Sequence, residues 1–367
     1  MAKIASIPVI DISGEGDQTQ VAKDLVEAAI EHGFIYIKNL GKDIPVEAIE
    51  GAFEMSKKLF NAPLSEKRAC TIRHNNRGWS AMQYETLDPG NQRVSHPLLL
   101  LITVVSLTDN PQTGDLKEAF NFGPFINSKA QQPLPPTLTG EDEAAIGAFR
   151  DLCEKLCLKL TTLLGLGLEV DPPDFFTSAH LTSPDRPSGT ILRFLYYPPH
   201  EQLPAREAVD RAADVRAGAH SDYGSMTLLF RLRGQAGLEI LGRDGKSWSP
   251  VPVVPPGTEE DPGPPVLLNI GDLLAYWTGG LLRSTVHRVV FAGGRDTEPR
   301  YSIAFFFHPW GGAELGVVPS QRVREFAERG DAKAEGNPYA ERKVLTADEH
   351  LQMRLRASYA QLYKDKA

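Results

Sequence analysis

RAGAHSDYGSMTLLF, residues 216–230, contains the His-x-Asp pair around which the rest of the chain can be arranged. Residues two apart in an extended strand point to the same face, so His220 and Asp222 can offer an imidazole nitrogen and a carboxylate oxygen to one cation. Taken alone, such a pair more often makes an ordinary hydrogen bond. A third ligand is needed before the pair indicates a metal site.

His287, within residues 284–289, is the candidate for that third ligand. Two histidines and one carboxylate bind a metal on one side and leave coordination positions open. This arrangement is typical of non-haem Fe(II) oxygenases. The sequence therefore predicts a metal site formed by His220, Asp222 and His287.

Composition places the chain among globular proteins. It has 367 residues, of which 41% are hydrophobic and 23% charged, which suits one large core with appended helices or two small domains. A net charge of −8 argues against a nucleic acid or an anionic membrane as the main partner. The three cysteines are too few for a disulfide framework, and no apolar signal region opens the sequence, so we expect a cytoplasmic protein.

The chain divides into four predicted parts. Residues 1–130 form an N-terminal region of helices and strands, and residues 131–188 contain a scaffold helix. Residues 189–312 hold short strands separated by glycine and proline, a pattern that predicts a double-sheet jelly roll and contains the candidate ligands. Residues 313–367 form a C-terminal helical segment. The expected class is α+β, with a jelly-roll core and flanking helices.

Apolar spacing predicts the principal helices. One-sided patterns run over residues 21–32, ending at Gly33, and over residues 45–60. A longer stripe over residues 146–164 recurs at intervals of three and four and must be buried against a core. Thr346 to Glu349 has the pattern of a capping box, which predicts a last helix continuing to Tyr359.

Residues 94–112 are an unusual apolar insertion. Their run 98–105, apolar except for Thr103, is too short to span a bilayer, which needs about 20 residues. One interpretation is a buried strand. We favour another, a translated unspliced intron: a splice-donor sequence can encode residues 94–95, a branch-point sequence residues 107–108, and an acceptor Gln112.

The motifs together resemble a known family over nearly the whole chain. An Ile-Pro-x-Ile-Asp start, a Gly-Phe-Ile-Tyr element, His-x-Asp, a distal Val-His-Arg-Val and Arg-x-Ser occur in one order. In that order they resemble the Fe(II)- and 2-oxoglutarate-dependent dioxygenases of the isopenicillin N synthase-like group, especially fungal members of the thymine hydroxylase type. The resemblance implies a double-stranded β-helix, Fe(II) held by the three ligands named above, and 2-oxoglutarate and O2 as co-substrates.

The resemblance also implies a 2-oxoglutarate site at Arg300, Ser302 and Tyr197. The planar fork of Arg300 matches a carboxylate, and Ser302, two residues on, shares its strand face and can donate a hydroxyl hydrogen bond. Tyr197 resembles the family tyrosine whose hydroxyl supports the co-substrate, although it also fits a core tyrosine. Many relatives have an asparagine where this chain has Leu195, which puts the polar support on that strand in doubt.

Three further side chains are candidates for substrate contact. Arg193 is in phase with Tyr197 and can bind a polar or anionic substrate or form a structural ion pair. Tyr223 and Phe306 are candidate substrate-facing aromatic residues, with core packing the alternative for Phe306. The remaining histidines have no matching carboxylate partner at ligand spacing. His308 is interpreted as structural, and Asn269 and Asp272 as turn residues.

The expected activity is oxidation of a small, planar or polar metabolite, with succinate and CO2 as co-products. Hydroxylation is the expected outcome, while desaturation or ring formation needs only a different substrate pose. Two alternatives stay open at this point: an iron-dependent oxidase or cyclase of the same fold that does not use 2-oxoglutarate, and a non-catalytic metal-binding or scaffold protein. The sequence leaves the substrate and the oligomeric state unspecified.

Overall fold

A computed structural model describes residues 4–14, 17–85, 87, 114–203, 214–291, 298–329 and 343–358. Within these ranges the helices are α1 (Thr19–Glu31), α2 (Val46–Phe60), α3 (Leu64–Ala69), α4 (Gly140–Gly167), α5 (Phe175–His180), α6 (Asp272–Trp277), α7 (Gln321–Glu328) and α8 (Ala347–Ser358). The three predicted apolar stripes correspond to α1, α2 and α4. The predicted last helix is α8, and Tyr359 lies outside the described residues.

Fourteen strands are described, which come in chain order as β1 (Val9–Ile10), β2 (Phe34–Ile37), β3 (Gly78–Ser80), β4 (Glu118–Phe122), β5 (Phe125–Ile126), β6 (Lys129–Ala130), β7 (Ile191–Tyr197), β8 (Asp214–His220), β9 (Met226–Arg231), β10 (Leu238–Leu241), β11 (Trp248–Pro250), β12 (Val266–Ile270), β13 (His287–Phe291) and β14 (Arg300–Phe307). The larger sheet has the order β1-β2-β12-β9-β14-β7-β4-β3, and a second has the order β11-β10-β13-β8. Strands β5 and β6 form a hairpin.

Period-two alternation on the larger sheet separates a helix-covered face from a cavity-lining face. On β14, Ile303 and Phe305 belong to the core cluster shared with the long helices. Their neighbours Ser302 and Ala304 line the cavity. The same alternation on β7 turns Phe194 to the helices. Polar side chains therefore reach the interior of the fold from strands that are otherwise strongly apolar.

The helical layer is fixed by local signals that agree with the packing. Thr139 and Asp142 form a reciprocal capping box at the start of α4, and the buried side of that helix packs against α1. α1 gives way to β2 at Gly33, whose φ of +67° is costly for other residues, and a Cβ there would lie 2.2 Å from the carbonyl oxygen of Arg283. The predicted end of this helix is thus explained by close approach of two backbones.

Four strands from the N-terminal region join the larger sheet: β1 and β2 at one edge, β3 and β4 at the other. The four-part division of the chain stays a prediction. The apolar insertion, residues 94–112, lies outside the described residues. No helix in the described ranges is both long enough and apolar enough to cross a membrane.

Candidate active site

His220, Asp222 and His287 form a cluster at one end of the smaller sheet. His220 ends β8 and is paired in register with His287, the first residue of β13. One ligand atom from each of the three residues lies within 4.8 Å of the other two. Asp222 Oδ1 is 3.8 Å from His220 Nε2 and 3.7 Å from His287 Nε2. The predicted triad is therefore brought together by the fold.

One detail of the prediction is wrong. Asp222 is not in the same strand as His220, because β8 ends at His220 and the carboxylate follows in an irregular segment that leads into a bend at residues 223–225. The side chain is positioned by hydrogen bonds instead of strand alternation: Thr227 Oγ1 donates to Asp222 Oδ2 at 2.7 Å, and Asn269 Nδ2 donates to the same oxygen at 2.8 Å. Both bonds leave Oδ1 directed toward the histidines.

Both histidines are oriented through their other ring nitrogen. His220 Nδ1 is 2.8 Å from the carbonyl oxygen of Gly218, and His287 Nδ1 is 3.1 Å from that of Thr285. Since a carbonyl can only accept, each Nδ1 carries the hydrogen and each Nε2 presents a lone pair to the cluster. Outer partners of this kind fix the tautomer and orientation of metal-binding histidines.

Electrostatics favour the protonation states that a cation requires. Burial, followed by the nearby charge of His287, lowers the pKa of His220 to about 4, so its imidazole is neutral near pH 7. Burial alone would raise the pKa of Asp222, but the two histidines and the hydrogen bonds to its carboxylate bring the net pKa below its ordinary value. His220 is thus a neutral imidazole and Asp222 a carboxylate near pH 7, which are the forms that bind a cation.

Arg300, Ser302 and Tyr197 meet on the larger sheet, where Arg300 on β14 pairs with Tyr197 on β7. Arg300 Nη1 lies 3.4 Å from Ser302 Oγ, and its guanidinium lies 4.9 Å from the centre of the Tyr197 ring. Arg300 is only 5% exposed, and burial lowers its pKa. In the part of the chain that the structure describes, it forms no ion pair with a carboxylate, although it lines the cavity. A buried cation in this position suits an incoming carboxylate.

The three predicted substrate residues line the same cavity. Arg193 lies with its guanidinium 5.2 Å from the centre of the Phe306 ring. It also pairs with the buried Glu85, with Arg193 Nη1 3.3 Å from Glu85 Oε1. Arg193 therefore has the ion pair that was one of its two predicted roles and a place in the cavity wall as well. Leu195 adds an apolar surface to that wall.

Several further residues line or support the cavity. Lys117 and Glu85 line the cavity and are almost completely buried. His308, interpreted as structural, also lines it. The interpretation of Asn269 as a turn residue is wrong, because it lies in β12 and holds Asp222. No local sequence pattern identifies Glu85 or Asn269 as a site residue, and the unusual burial of the Glu85 charge is visible only in the structure.

A helix from the C-terminal part of the chain closes one side of the cavity. Leu351 and Leu355 on α8 line it. Arg354 on the same helix lies 2.8 Å from Asp272 Oδ2 and donates to Ser221 Oγ at 3.3 Å. Asp272, interpreted from sequence as a turn residue, is the first residue of α6 and also accepts a hydrogen bond from Ser221 at 3.0 Å. Helix α8 therefore contacts Ser221, which lies between His220 and Asp222 in the sequence.

His180, which contacts the bend after Asp222, should make stability sensitive to acid. Its Nε2 is 2.8 Å from Ser225 Oγ, and burial lowers its pKa from 6.5 to about 4. Because the folded state disfavours the proton, this contribution is complete above pH 6.5 and is lost as the pH falls toward 4. We expect His180 to contribute about 3 kcal/mol to the loss of unfolding free energy over that interval, measured by urea denaturation as the difference between the unaltered protein and His180→Asn. His180→Asn should flatten the profile, and parallel profiles for the two proteins would contradict this account.

Two family profiles match the chain. Residues 7–140 match the non-haem dioxygenase in morphine synthesis N-terminal family, and residues 188–309 match the 2OG-Fe(II) oxygenase superfamily. The second match contains all the predicted site residues, from Arg193 to Phe306. Together the two matches cover most of the chain.

Curated relatives are similar over most of their length. The UPF0676 protein C1494.01 of Schizosaccharomyces pombe is 35% identical over 308 residues, covering 83% of this chain and 82% of that protein. The 2-oxoglutarate-dependent dioxygenase traH of Penicillium crustosum is 27% identical, with 82% and 84% covered.

Solved structures give the same result. The full-length thymine hydroxylase of Neurospora crassa in complex with alpha-KG has a TM-score of 0.69 and 27% identity, covering 97% of this chain and 99% of that one. The same protein with alpha-KG and thymine has the same TM-score, identity and coverage. These similarities set aside the oxidase and scaffold alternatives. The chain belongs to the 2OG-Fe(II) oxygenase superfamily and is a 2-oxoglutarate- and Fe(II)-dependent dioxygenase.

Proposed function

We propose that this dioxygenase hydroxylates a small planar metabolite, with Fe(II) held by His220, Asp222 and His287 and 2-oxoglutarate held by Arg300 and Ser302. One observation carries the proposal: a single cavity has the His-Asp-His cluster and a buried arginine without a carboxylate partner among the described residues. The first suits a divalent cation and the second suits the far carboxylate of a dicarboxylic acid.

The donor set fits Fe(II). Two neutral imidazole nitrogens and one carboxylate oxygen are the facial set used by non-haem iron oxygenases, and they leave coordination positions for other ligands. When bound, the iron supplies oxygen activation coupled to the oxidative decarboxylation of 2-oxoglutarate, which yields succinate and CO2. Thr227 and Asn269 keep Asp222 Oδ1 directed to the cluster, so the site is organised before a metal arrives.

The 2-oxoglutarate assignment rests on complementary charge and shape. The Arg300 guanidinium can donate two parallel hydrogen bonds to a carboxylate, and Ser302 can donate a third from the same strand face. Tyr197, next to Arg300, is proposed to support the co-substrate through its hydroxyl. Apolar neighbours such as Leu229 and Val289 exclude water and strengthen these bonds.

The substrate is proposed to lie between the cluster and the wall formed by Arg193, Tyr223 and Phe306. Aromatic rings favour a flat molecule, and the arginine favours a hydrogen-bond acceptor at its edge. The thymine bound by the structurally similar Neurospora protein has these properties. Leu351 on α8 shields this end from water, which suppresses side reactions. A cytoplasmic location and the absence of nucleic-acid and membrane partners remain predictions.

An anaerobic titration tests this function. Adding Fe(II) and then 2-oxoglutarate should produce the weak visible charge-transfer band of a chelated complex, and admitting O2 should release succinate. The same titration on a chain lacking residues 94–112 tests the intron hypothesis: a band only in the shortened chain would support it, and bands in both would make the segment a tolerated insertion. Absence of the band from both chains would contradict the assigned sites.

A further inference from the structure

Four charged side chains form a buried ion network at the substrate end of the cavity: Glu85, Asp115, Lys117 and Arg193. Lys117 Nζ is 2.9 Å from Glu85 Oε2 and also contacts Asp115 Oδ2. Arg193 reaches the other oxygen of Glu85. None of the four side chains is more than 10% exposed. Glu85, Lys117 and Arg193 line the cavity directly.

The charges of these four side chains balance one another. Two cations face two carboxylates, and the carboxylates raise the pKa of Lys117 despite its burial, which keeps the ammonium charged. Arg193 therefore differs from Arg300. The first is paired with Glu85, while Arg300 has no acidic partner in the described ranges. Removing a charge from water is costly unless another charge compensates it, so the two arginines suit ligands of different charge.

Among the ion-pair contacts given above, the longest lies between Arg193 and Glu85. Arg193 Nη1 is 3.3 and 3.4 Å from the two oxygens of Glu85, longer than the 2.7–2.9 Å usual for a charge-assisted bond. Arg193 Nε is held more closely, donating to Asn121 Oδ1 at 2.7 Å. A donor and an acceptor thus stand side by side on the cavity wall. A ligand with a polar edge that accepts a hydrogen bond from Arg193 and donates one to Glu85 would fit this pair.

We propose that the substrate carries no anionic group, that it presents an amide, lactam or imide edge to Arg193 and Glu85, and that Glu85 excludes anions. This inference rests on the proposed function and narrows its substrate class. An anion approaching Arg193 meets the Glu85 carboxylate, whereas an uncharged amide edge satisfies both groups. Glu85 is a specificity residue in this arrangement, with Lys117 holding its carboxylate in place.

Two matched pairs of flat probes test the charge rule: uracil with its carboxylate orotate, and benzamide with benzoate. Binding is measured anaerobically to the Fe(II)- and 2-oxoglutarate-loaded protein by saturation-transfer NMR. Wild-type protein should favour the neutral member of each pair by at least about tenfold. Glu85→Gln leaves the network with one excess positive charge and should shift the ratio at least about tenfold toward the anion. Glu239→Gln, which alters an ion pair with Arg288, is the control and should shift nothing.

The charge-transfer band of each loaded sample shows whether a negative result bears on the proposed function or on the charge rule. A missing wild-type band contradicts the proposed function itself. With the band present, three results would overturn the charge rule. These are an unchanged preference in Glu85→Gln, equal binding of anionic and neutral probes to the wild-type protein, and no binding of any probe to either protein. If Glu85→Gln does not fold, Arg193→Met decides: it should weaken the neutral probes without improving the anions, and tighter anion binding would overturn the proposal.

Discussion

Asp222→Ala is expected to lose Fe(II) binding and 2-oxoglutarate turnover together, with succinate formation reduced at least about a thousandfold. The substitution removes the one carboxylate of the proposed metal site and leaves two histidines. Asp222 is 6% exposed, so solvent does not readily replace the lost oxygen. Calorimetric titration with Fe(II) under anaerobic conditions measures the binding, and succinate release measures the turnover.

A control variant and a milder variant separate an effect on metal binding from an effect on folding. Asp185→Ala changes an exposed aspartate and should leave both quantities unchanged. Thr227→Val keeps the Asp222 carboxylate but removes one of its hydrogen bonds, and should weaken metal binding by roughly 10–100-fold. Wild-type Fe(II) affinity in folded Asp222→Ala would exclude this carboxylate as a metal ligand.

Arg300→Met should raise the dissociation constant for 2-oxoglutarate by about a hundredfold while leaving Fe(II) affinity nearly unchanged. A charge-assisted hydrogen bond contributes roughly 1.5–3 kcal/mol, and the guanidinium can make two to one carboxylate. Arg300→Lys should recover only part of the loss, because an ammonium lacks the planar fork. Titrating the charge-transfer band gives the dissociation constant.

Arg288→Met is the matched control, since this arginine pairs with Glu239 outside the cavity. It should bind 2-oxoglutarate as the unaltered protein does. If Arg300→Met retained normal 2-oxoglutarate affinity, the carboxylate would have to bind elsewhere. Arg193 would then be the next residue to test, although Glu85 already neutralises it.

The sequence predicts best what depends on local periodicity. Residues two apart on β14 share a face, which groups Arg300, Ser302 and Phe306 from the sequence alone. The capping box at Thr346 and the glycine after α1 likewise marked helix ends through local chemistry. These features need only the few residues that surround them.

Long-range pairing is where sequence reasoning fails. Glu85 and Arg193 are 108 residues apart, and Asn269 is 47 from the carboxylate it holds. Neither pairing is visible in a local pattern. The role of a buried polar side chain depends on the residue it contacts, and that residue is distant in sequence. The bend after His220 was missed for a related reason: backbone contacts to Gly271 and Asp272 shape it from a distant segment.

The Arg354 contact has a consequence for how the protein is made. Translation proceeds from the N-terminus, so both sheets and all three proposed iron ligands leave the ribosome before α8 does. Until α8 docks on Asp272 and Ser221, the side of the cavity later covered by Leu351 and Leu355 stays uncovered. That side is therefore the last part of the cavity wall to be completed.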